Sequence, residues 1–268
     1  MKKLAVITGA SRGIGAYLTR ALAERGIDVI AVARQKACLE TIQADYPERI
    51  TIISADLSEL KGRTSVIGSL SKHTKIDYLV HNAGVITPIA PLSNLSEENI
   101  RKILETNLIT PMLLTTQLLP QMKKKSRILH ISSPSGHQAT AGLGPYCISK
   151  AGINMLTQIQ RIELQVQDIL STYVLPGEVD TDMQQDLREA SLNNFPLASE
   201  FQKAKDLQTL IPTETSAGFL SWLLLETQDE EYGQKEWNIY DTSHHGRWLK
   251  TPLPLPINKN KSLSSGMI

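Results

Sequence analysis

The chain has 268 residues, with 28 Lys and Arg balanced by 27 Asp and Glu to a net charge of +1. Its 41% hydrophobic residues and 16 glycines are the composition of a globular protein and exclude intrinsic disorder and collagen-like repeats. So even a balance leaves no strong field, and the largest basic run, Lys123-Lys124-Lys125, is read as a solvated helix end; neither nucleic acid nor a membrane surface is expected as a partner.

From the N-terminus, short β-branched runs alternate with longer amphipathic segments. Leu4–Thr8, Val29–Ala33, Ile50–Ala55, Ile76–His81, Arg127–Ser132, Ser171–Leu175 and Glu236–Tyr240 are predicted strands, with helices between them. Seven strands in that rhythm predict an α/β protein: a single-domain Rossmann fold with a seven-stranded parallel, doubly wound sheet and helices on both faces. The strand runs do not alternate in polarity, as suits strands covered on both sides. The stretch from Leu108 to Met122 is interrupted by Pro111 and Pro120, falls short of a bilayer span and is expected to be an ordinary helix. Ser96-Glu97-Glu98-Asn99 and Pro212-Thr213-Glu214 mark helix starts.

In such sheets ligands bind beyond the carboxyl ends of the strands. Segment 178–210 follows a strand end and is expected over that crevice as a substrate loop. Residues 1–241 are thus expected to form the dinucleotide-binding and catalytic domain, and residues 242–268, with Pro252, Pro254 and Pro256, an extended C-terminal arm. Cys38 and Cys147 make neither a disulfide framework nor a metal site; no metal is expected, and a reducing, cytoplasmic setting is the default.

The first strand runs into Thr8-Gly9-Ala10-Ser11-Arg12-Gly13-Ile14-Gly15, and a helix follows from Ala16. Glycines there permit a tight turn and leave the backbone bare where it meets a pyrophosphate, and the helix start turns its N–H groups toward the anion. A nucleotide site is therefore expected, with Gly9, Ser11, Arg12, Gly13, Ile14 and Gly15 in contact with it.

Two further patterns carry chemistry. Tyr146 and Lys150 stand one helical turn apart, which sets an ammonium beside a phenol. Bringing a phenol from about 10 to neutrality takes roughly 4 kcal/mol, and one positive charge at about 4 Å supplies a similar amount at an effective dielectric of about 20. Pro111, four residues after Asn107, has no N–H, so the Asn107 carbonyl loses its helical partner and is free to hold a water.

The glycine turn, Asn82-Ala83-Gly84, Asn107, Ser133, Tyr146-x-x-x-Lys150 and Pro176-Gly177 together resemble the classical short-chain dehydrogenase/reductase family, over about Lys3 to Asp241. The resemblance implies catalysis by Asn107, Ser133, Tyr146 and Lys150. It implies a dinucleotide contacted also by Asp56 and Leu57, Asn82, Ala83 and Gly84, Pro176, Gly177 and Val179, with Thr181 on the nicotinamide carboxamide. Ser133 is preferred to Ser132, because neighbours on a strand face opposite ways. A homodimer or homotetramer is implied, paired through the helices around Leu108–Met122 and Pro145–Gln167.

Glu178-Val179-Asp180-Thr181-Asp182-Met183 and the closing Trp237-Asn238-Ile239-Tyr240-Asp241 are similar to the sepiapterin reductase and benzil reductase branch. That branch implies NADPH-dependent reduction of a ketone or vicinal dicarbonyl, a small-molecule carbonyl substrate. Pterin reductases carry an acid where Asn238 stands here, so a non-pterin carbonyl is favoured over a pterin or a 3-oxoacyl substrate. A catalytically idle dinucleotide sensor is the alternative, although such proteins usually lose the Tyr or Lys retained here.

The cofactor's phosphate can be read from the residues. NAD sites set an acid about 20 residues beyond the glycine turn. Here Ala33 and Arg34 occupy that point, Asp28 lies at the opposite end of the strand, and Arg12 reaches the same place, so NADP is expected.

Overall fold

The computed structural model describes residues 2–71 and 75–254. Seven strands, β1 (Leu4–Thr8), β2 (Asp28–Ala33), β3 (Ile50–Ser54), β4 (Ile76–His81), β5 (Met122–Ile131), β6 (Leu170–Leu175) and β7 (Trp237–Asn238), form one sheet in the order β3-β2-β1-β4-β5-β6-β7. Every pairing is parallel, with Val6 opposite Ile30 on one side and Leu79 on the other. The helices are α1 (Gly13–Glu24), α2 (Lys36–Asp45), α3 (Leu60–Leu70), α4 (Glu97–Leu104), α5 (Thr110–Leu118), α6 (Gly144–Glu163), α7 (Asp182–Glu189), α8 (Ala198–Asp206), α9 (Thr213–Leu225) and α10 (Asp229–Tyr232). This is the expected doubly wound Rossmann architecture.

The sheet's two faces explain the unalternating strands. Ala5 and Ile7 of β1 join Val29 and Ala31 of β2 in a core with Leu18, Leu22, Phe219 and Leu223 of α1 and α9. Val6 and Ile30 face the other way, onto Val66, Leu70, Leu114 and Leu118 of α3 and α5. Both parities are apolar because both faces are covered. Strand order reverses between β1 and β4, which opens a crevice at their carboxyl ends.

Four expectations need correction. Leu108–Met122 is not one helix: a π-helical turn over Glu105–Ile109 leads into α5, a 3-10 turn holds Leu119–Gln121, and the chain is extended from Met122. Pro120, without an N–H, ends the helix early. Lys123-Lys124-Lys125 consequently enters β5 and is not a helix end, with Lys125 at φ 66° donating its N–H to the Asp168 carbonyl at 2.6 Å.

Within 242–268, residues 242–248 also do not leave the body as an extended arm. Thr242–Arg247 is a 3-10 helix whose buried His244 stacks on Phe219 and Trp222, and Trp248 follows into the same cluster. Prolines nearby mark chain direction, whereas the apolar aromatic surface of α9 decides where the segment docks. The remainder of that segment, 255–268, lies outside the described residues. Finally, segment 178–210 carries regular structure, α7 and α8, and is tied at its base by the pairing of Val179 with Ile211.

β5 is secured by Arg127, whose buried guanidinium donates to the Leu223, Leu224 and Thr227 carbonyls at the end of α9 and pairs with Asp229 at 2.7 Å. Those last carbonyls have no intrahelical partners, and the cation also suits the negative end of the helix dipole. Among the described residues, no helix is long and apolar enough to cross a membrane.

Candidate active site

A cleft of about 640 Å³ opens at the carboxyl ends of the strands. Its lining includes Gly9, Ser11, Arg12, Gly13, Ile14, Arg34, Asp56, Leu57, Asn82, Ala83, Gly84, Ser133, Tyr146, Lys150, Pro176, Gly177, Val179 and Thr181. Residues spread over much of the chain are thus brought to one wall.

The glycine turn is shaped by three different demands. Gly9 and Gly13 have φ of 67° and 53°, in the left-handed region that glycine tolerates. Gly15 does not line the cleft; a Cβ there would stand 2.3 Å from the Gly9 carbonyl oxygen and 2.4 Å from Asn82 Nδ2. Its role is close packing beneath the turn. Asn82 is the tie between the strands, donating from Nδ2 to the Thr8 and Gly9 carbonyls at 3.0 Å each. Thr8 Oγ1 accepts the N–H groups of Asn82 and Ala83, each at 3.1 Å. With the turn so held, α1 begins at Gly13 and directs its unpaired first-turn N–H groups at the cleft.

Both arginines expected near a 2′-phosphate line the cleft, and each meets a carboxylate: Arg12 pairs with Asp182 at 2.7 Å and Arg34 with Asp56 at 3.7 Å. Both pairs are substantially exposed, so they are weakly held in water. Burial pushes the Asp56 carboxyl up, but hydrogen bonds from Ser58 and the nearby Arg34 outweigh it, leaving the group below its usual range. Ser11 Oγ donates to Gln35 Oε1 at 2.8 Å on the same rim.

Ser133 follows β5 and caps the short 3-10 turn Pro134–Gly136, accepting the Ser135 N–H at 3.2 Å. Ser132 also lines the cleft, but its hydroxyl donates to Asn154 Oδ1 at 2.5 Å. Tyr146 and Lys150 lie one turn apart on α6, both buried. Burial pushes the Tyr146 hydroxyl up to about 12, a rise the Ser133 hydroxyl partly counters. Lys150, 5.5 Å from the ring centroid, does not offset it, because its ammonium is turned to the Ile131 carbonyl at 2.7 Å. The free protein therefore lacks the lowering toward neutrality expected from a neighbouring ammonium. Burial draws Lys150 itself down to about 8.

Asn107 sits in the π-helical turn and, like Gly15, is not part of the cleft lining. Its side chain reads the backbone of Val85 in both directions, accepting the N–H and donating to the carbonyl at 2.8 Å each, and reaches Ser149 Oγ at 3.2 Å. It holds the loop that follows Gly84. Thr181 caps α7, accepting the Gln184 N–H at 3.4 Å. Gly177, at φ 91°, leaves no room for a Cβ, which would lie 2.4 Å from Ile211 Cδ1.

The cleft's far wall comes largely from segment 178–210, expected over the crevice but without its individual residues. Met183, Leu187, Leu197 and Phe201 from α7, α8 and the residue before α8 line it, with Ile86, Leu143, Glu178 and Tyr240. His137 is outside the lining and meets Glu236 at 2.6 Å. Among the described residues no group of three His, Cys, Asp or Glu side chains is placed to hold a metal ion.

The family model for short chain dehydrogenases matches residues 3–192. An uncharacterised oxidoreductase of Schizosaccharomyces pombe is 31% identical over 245 residues, covering 89% of this chain and 98% of its own. A benzil reductase of Bacillus cereus that forms (S)-benzoin is 29% identical over 243 residues, 86% of this chain and 96% of its own. A solved short-chain dehydrogenase/reductase of Saccharomyces cerevisiae superposes with a TM-score of 0.84 at 26% identity, over 92% of this chain and 99% of its own. The chain belongs to the short-chain dehydrogenase/reductase family and is an oxidoreductase that works with a nicotinamide dinucleotide.

Proposed function

We propose that the protein is an NADPH-dependent carbonyl reductase that converts a ketone or vicinal dicarbonyl to an alcohol. The observation that carries this reading is the convergence of Ser133, Tyr146 and Lys150 on one cleft whose other end is a glycine turn that side chains would block. The chemistry a bound nicotinamide supplies there is a hydride to the carbonyl carbon. Ser133 holds the carbonyl oxygen, and the Tyr146 hydroxyl gives that oxygen its proton. A phenol near 12 is fully protonated at neutral pH, the state that reduction requires. Lys150 keeps Tyr146 in register and grips the ribose, while Asn107 fixes the Val85 backbone that borders the pocket.

Arg12, Arg34 and Ser11 at the rim, with Ala33 where NAD sites carry an acid, support NADP over NAD. The similarity to benzil reductase supports a vicinal dicarbonyl substrate. An apolar stripe along α6 of exposed Ile148, Met155, Ile159 and Ile162 supports a homodimer, because one helix face that apolar is stable in water when covered. Two free cysteines, one of them exposed, support a cytoplasmic setting.

An NADPH-consumption screen over aldehydes, diketones and quinones tests the reading. Turnover is expected with at least one dicarbonyl, and Tyr146→Phe should lower kcat by about 10²- to 10⁴-fold while NADPH still binds. A screen with no consumption would favour a dinucleotide sensor. Higher kcat/KM with NADH than with NADPH would overturn the cofactor assignment.

A further inference from the structure

The charged groups of the cleft are partnered, with one exception. Arg12 has Asp182, Arg34 has Asp56, and Lys150 has the Ile131 carbonyl. Glu178 lines the same cleft just beyond β6, and among the described residues its carboxylate has neither an ion pair nor a hydrogen-bond donor. The contrast with Asp180, two residues on, is sharp: Asp180 is exposed and takes both neighbouring cations, Lys205 at 2.6 Å and Arg188 at 3.9 Å.

Glu178 is half-buried and its backbone is held in position from two sides. Its N–H donates to the Tyr240 hydroxyl at 3.2 Å, and its carbonyl accepts the Ile211 N–H at 2.8 Å. Burial, and then the like charge of Glu200, keep its carboxyl above the ordinary carboxylate range. A cation seated beside it would relieve both. The same cleft is lined on its α7 and α8 side by apolar Met183, Leu187, Leu197 and Phe201. A half-buried carboxylate without a partner is costly unless something binds it, and the cleft is where a ligand enters.

We infer that Glu178 is a specificity-determining residue, selecting carbonyl compounds that carry a protonated amine or a similar cationic group on an apolar skeleton. The inference rests on the carbonyl-reductase reading for its substrate, but the recognition itself does not require turnover. Glu178 supplies a charge-assisted hydrogen bond to the cationic end, and the apolar wall from α7 and α8 takes the skeleton. The carbonyl is then directed to Ser133 and Tyr146 across the cleft.

Two matched ketones test it, an aryl ketone bearing a protonated amine and its neutral hydroxyl counterpart, each measured with the full chain and NADPH. The kcat/KM ratio of cationic over neutral ketone is expected to fall by about tenfold or more in Glu178→Gln, and Glu178→Asp, which keeps the charge, should retain part of the preference. A redox-inert pair, phenethylamine and the matching alcohol, is titrated by calorimetry into wild type and Glu178→Gln with oxidised NADP bound. If the amine binds the wild type no more tightly than the variant, the inference is overturned, whatever the turnover of ketones. If the amine preference holds and no ketone is reduced, the failure belongs to the reductase reading instead. Circular dichroism of both variants confirms that they fold.

Discussion

The floor and the roof of the cleft are built on different principles. The floor, where β1 and β4 end, is held by hydrogen bonds between partly buried groups: Asn82 to the Thr8 and Gly9 carbonyls, Thr8 to the Asn82 and Ala83 amides, Asn107 to Val85. The roof, α7 and α8, is held by a small apolar cluster of Ile86, Leu143, Leu187, Phe195 and Ala198 with Met183 and Phe201 against it. Several of its polar ties are exposed ion pairs, Arg12 to Asp182 and Lys205 to Asp180, beside Gln184 Nε2 to the Phe201 carbonyl at 3.2 Å. Directional bonds tolerate few residue types, whereas apolar packing accepts many of similar volume. A floor of the first kind suits a ligand with one fixed shape, and a roof of the second kind suits a substrate whose shape the cleft selects.

Three experiments strain that contrast. The largest effect is expected at the floor: Asn82→Ala removes the Nδ2 donor from the buried Thr8 carbonyl and the half-buried Gly9 carbonyl and should destabilise the fold by about 2 kcal/mol, with dinucleotide affinity falling in parallel. Urea unfolding and a fluorescence titration of NADPH measure both; a loss confined to substrate KM would put Asn82 in the wrong half. The next effect is set by charge. Lys150, with a pKa drawn down to about 8, is charged below that pH and loses its proton above it. The kcat/KM for the dinucleotide should therefore be level from pH 7 to about 8 and then fall, approaching tenfold per unit, and a profile flat to pH 10 would refute the role. The smallest effect belongs to the roof. Phe201→Ala should raise substrate KM several-fold while the dinucleotide Kd stays within about twofold, because Phe201 lines the cleft from the roof and packs against its apolar cluster. An equal loss in both constants would dissolve the distinction between floor and roof.

The same contrast explains what could be read from the chain. Gly9 and Gly13 were legible because the turn there takes the left-handed φ that glycine tolerates, and Tyr146 and Lys150 through the family's Tyr-x-x-x-Lys pattern, since one-turn spacing alone is shared with ordinary exposed pairs. The seven strands were legible because both sheet faces need apolar side chains, which leaves unbroken β-branched runs. Gly15 and Asn107 were legible as members of the site but not as supports beneath it, since what they touch lies far away in sequence. The roof's place over the crevice was legible but its helices and contacts were not, because Leu187, Phe195 and Phe201 meet only through folding, and an isolated apolar residue on a polar helix does not say what it faces. The docking of 242–248 was hidden for a related reason: three prolines downstream point to extension, while the aromatic surface that captures Trp248 belongs to α9.

That capture has an optical consequence. The chain's three tryptophans, Trp222, Trp237 and Trp248, occur together, with Trp222 5.6 Å from Trp237 and 6.5 Å from Trp248 by ring centroids. Indole emission from this protein is consequently the signal of one locality, which joins α9, β7 and the segment after it. Trp237 precedes Asn238 in β7, and Asn238 lines the cleft. A spectral shift on adding a ligand would report movement carried from the cleft along β7, and a red shift without ligand would report the tail coming off α9 while the dinucleotide floor stays intact.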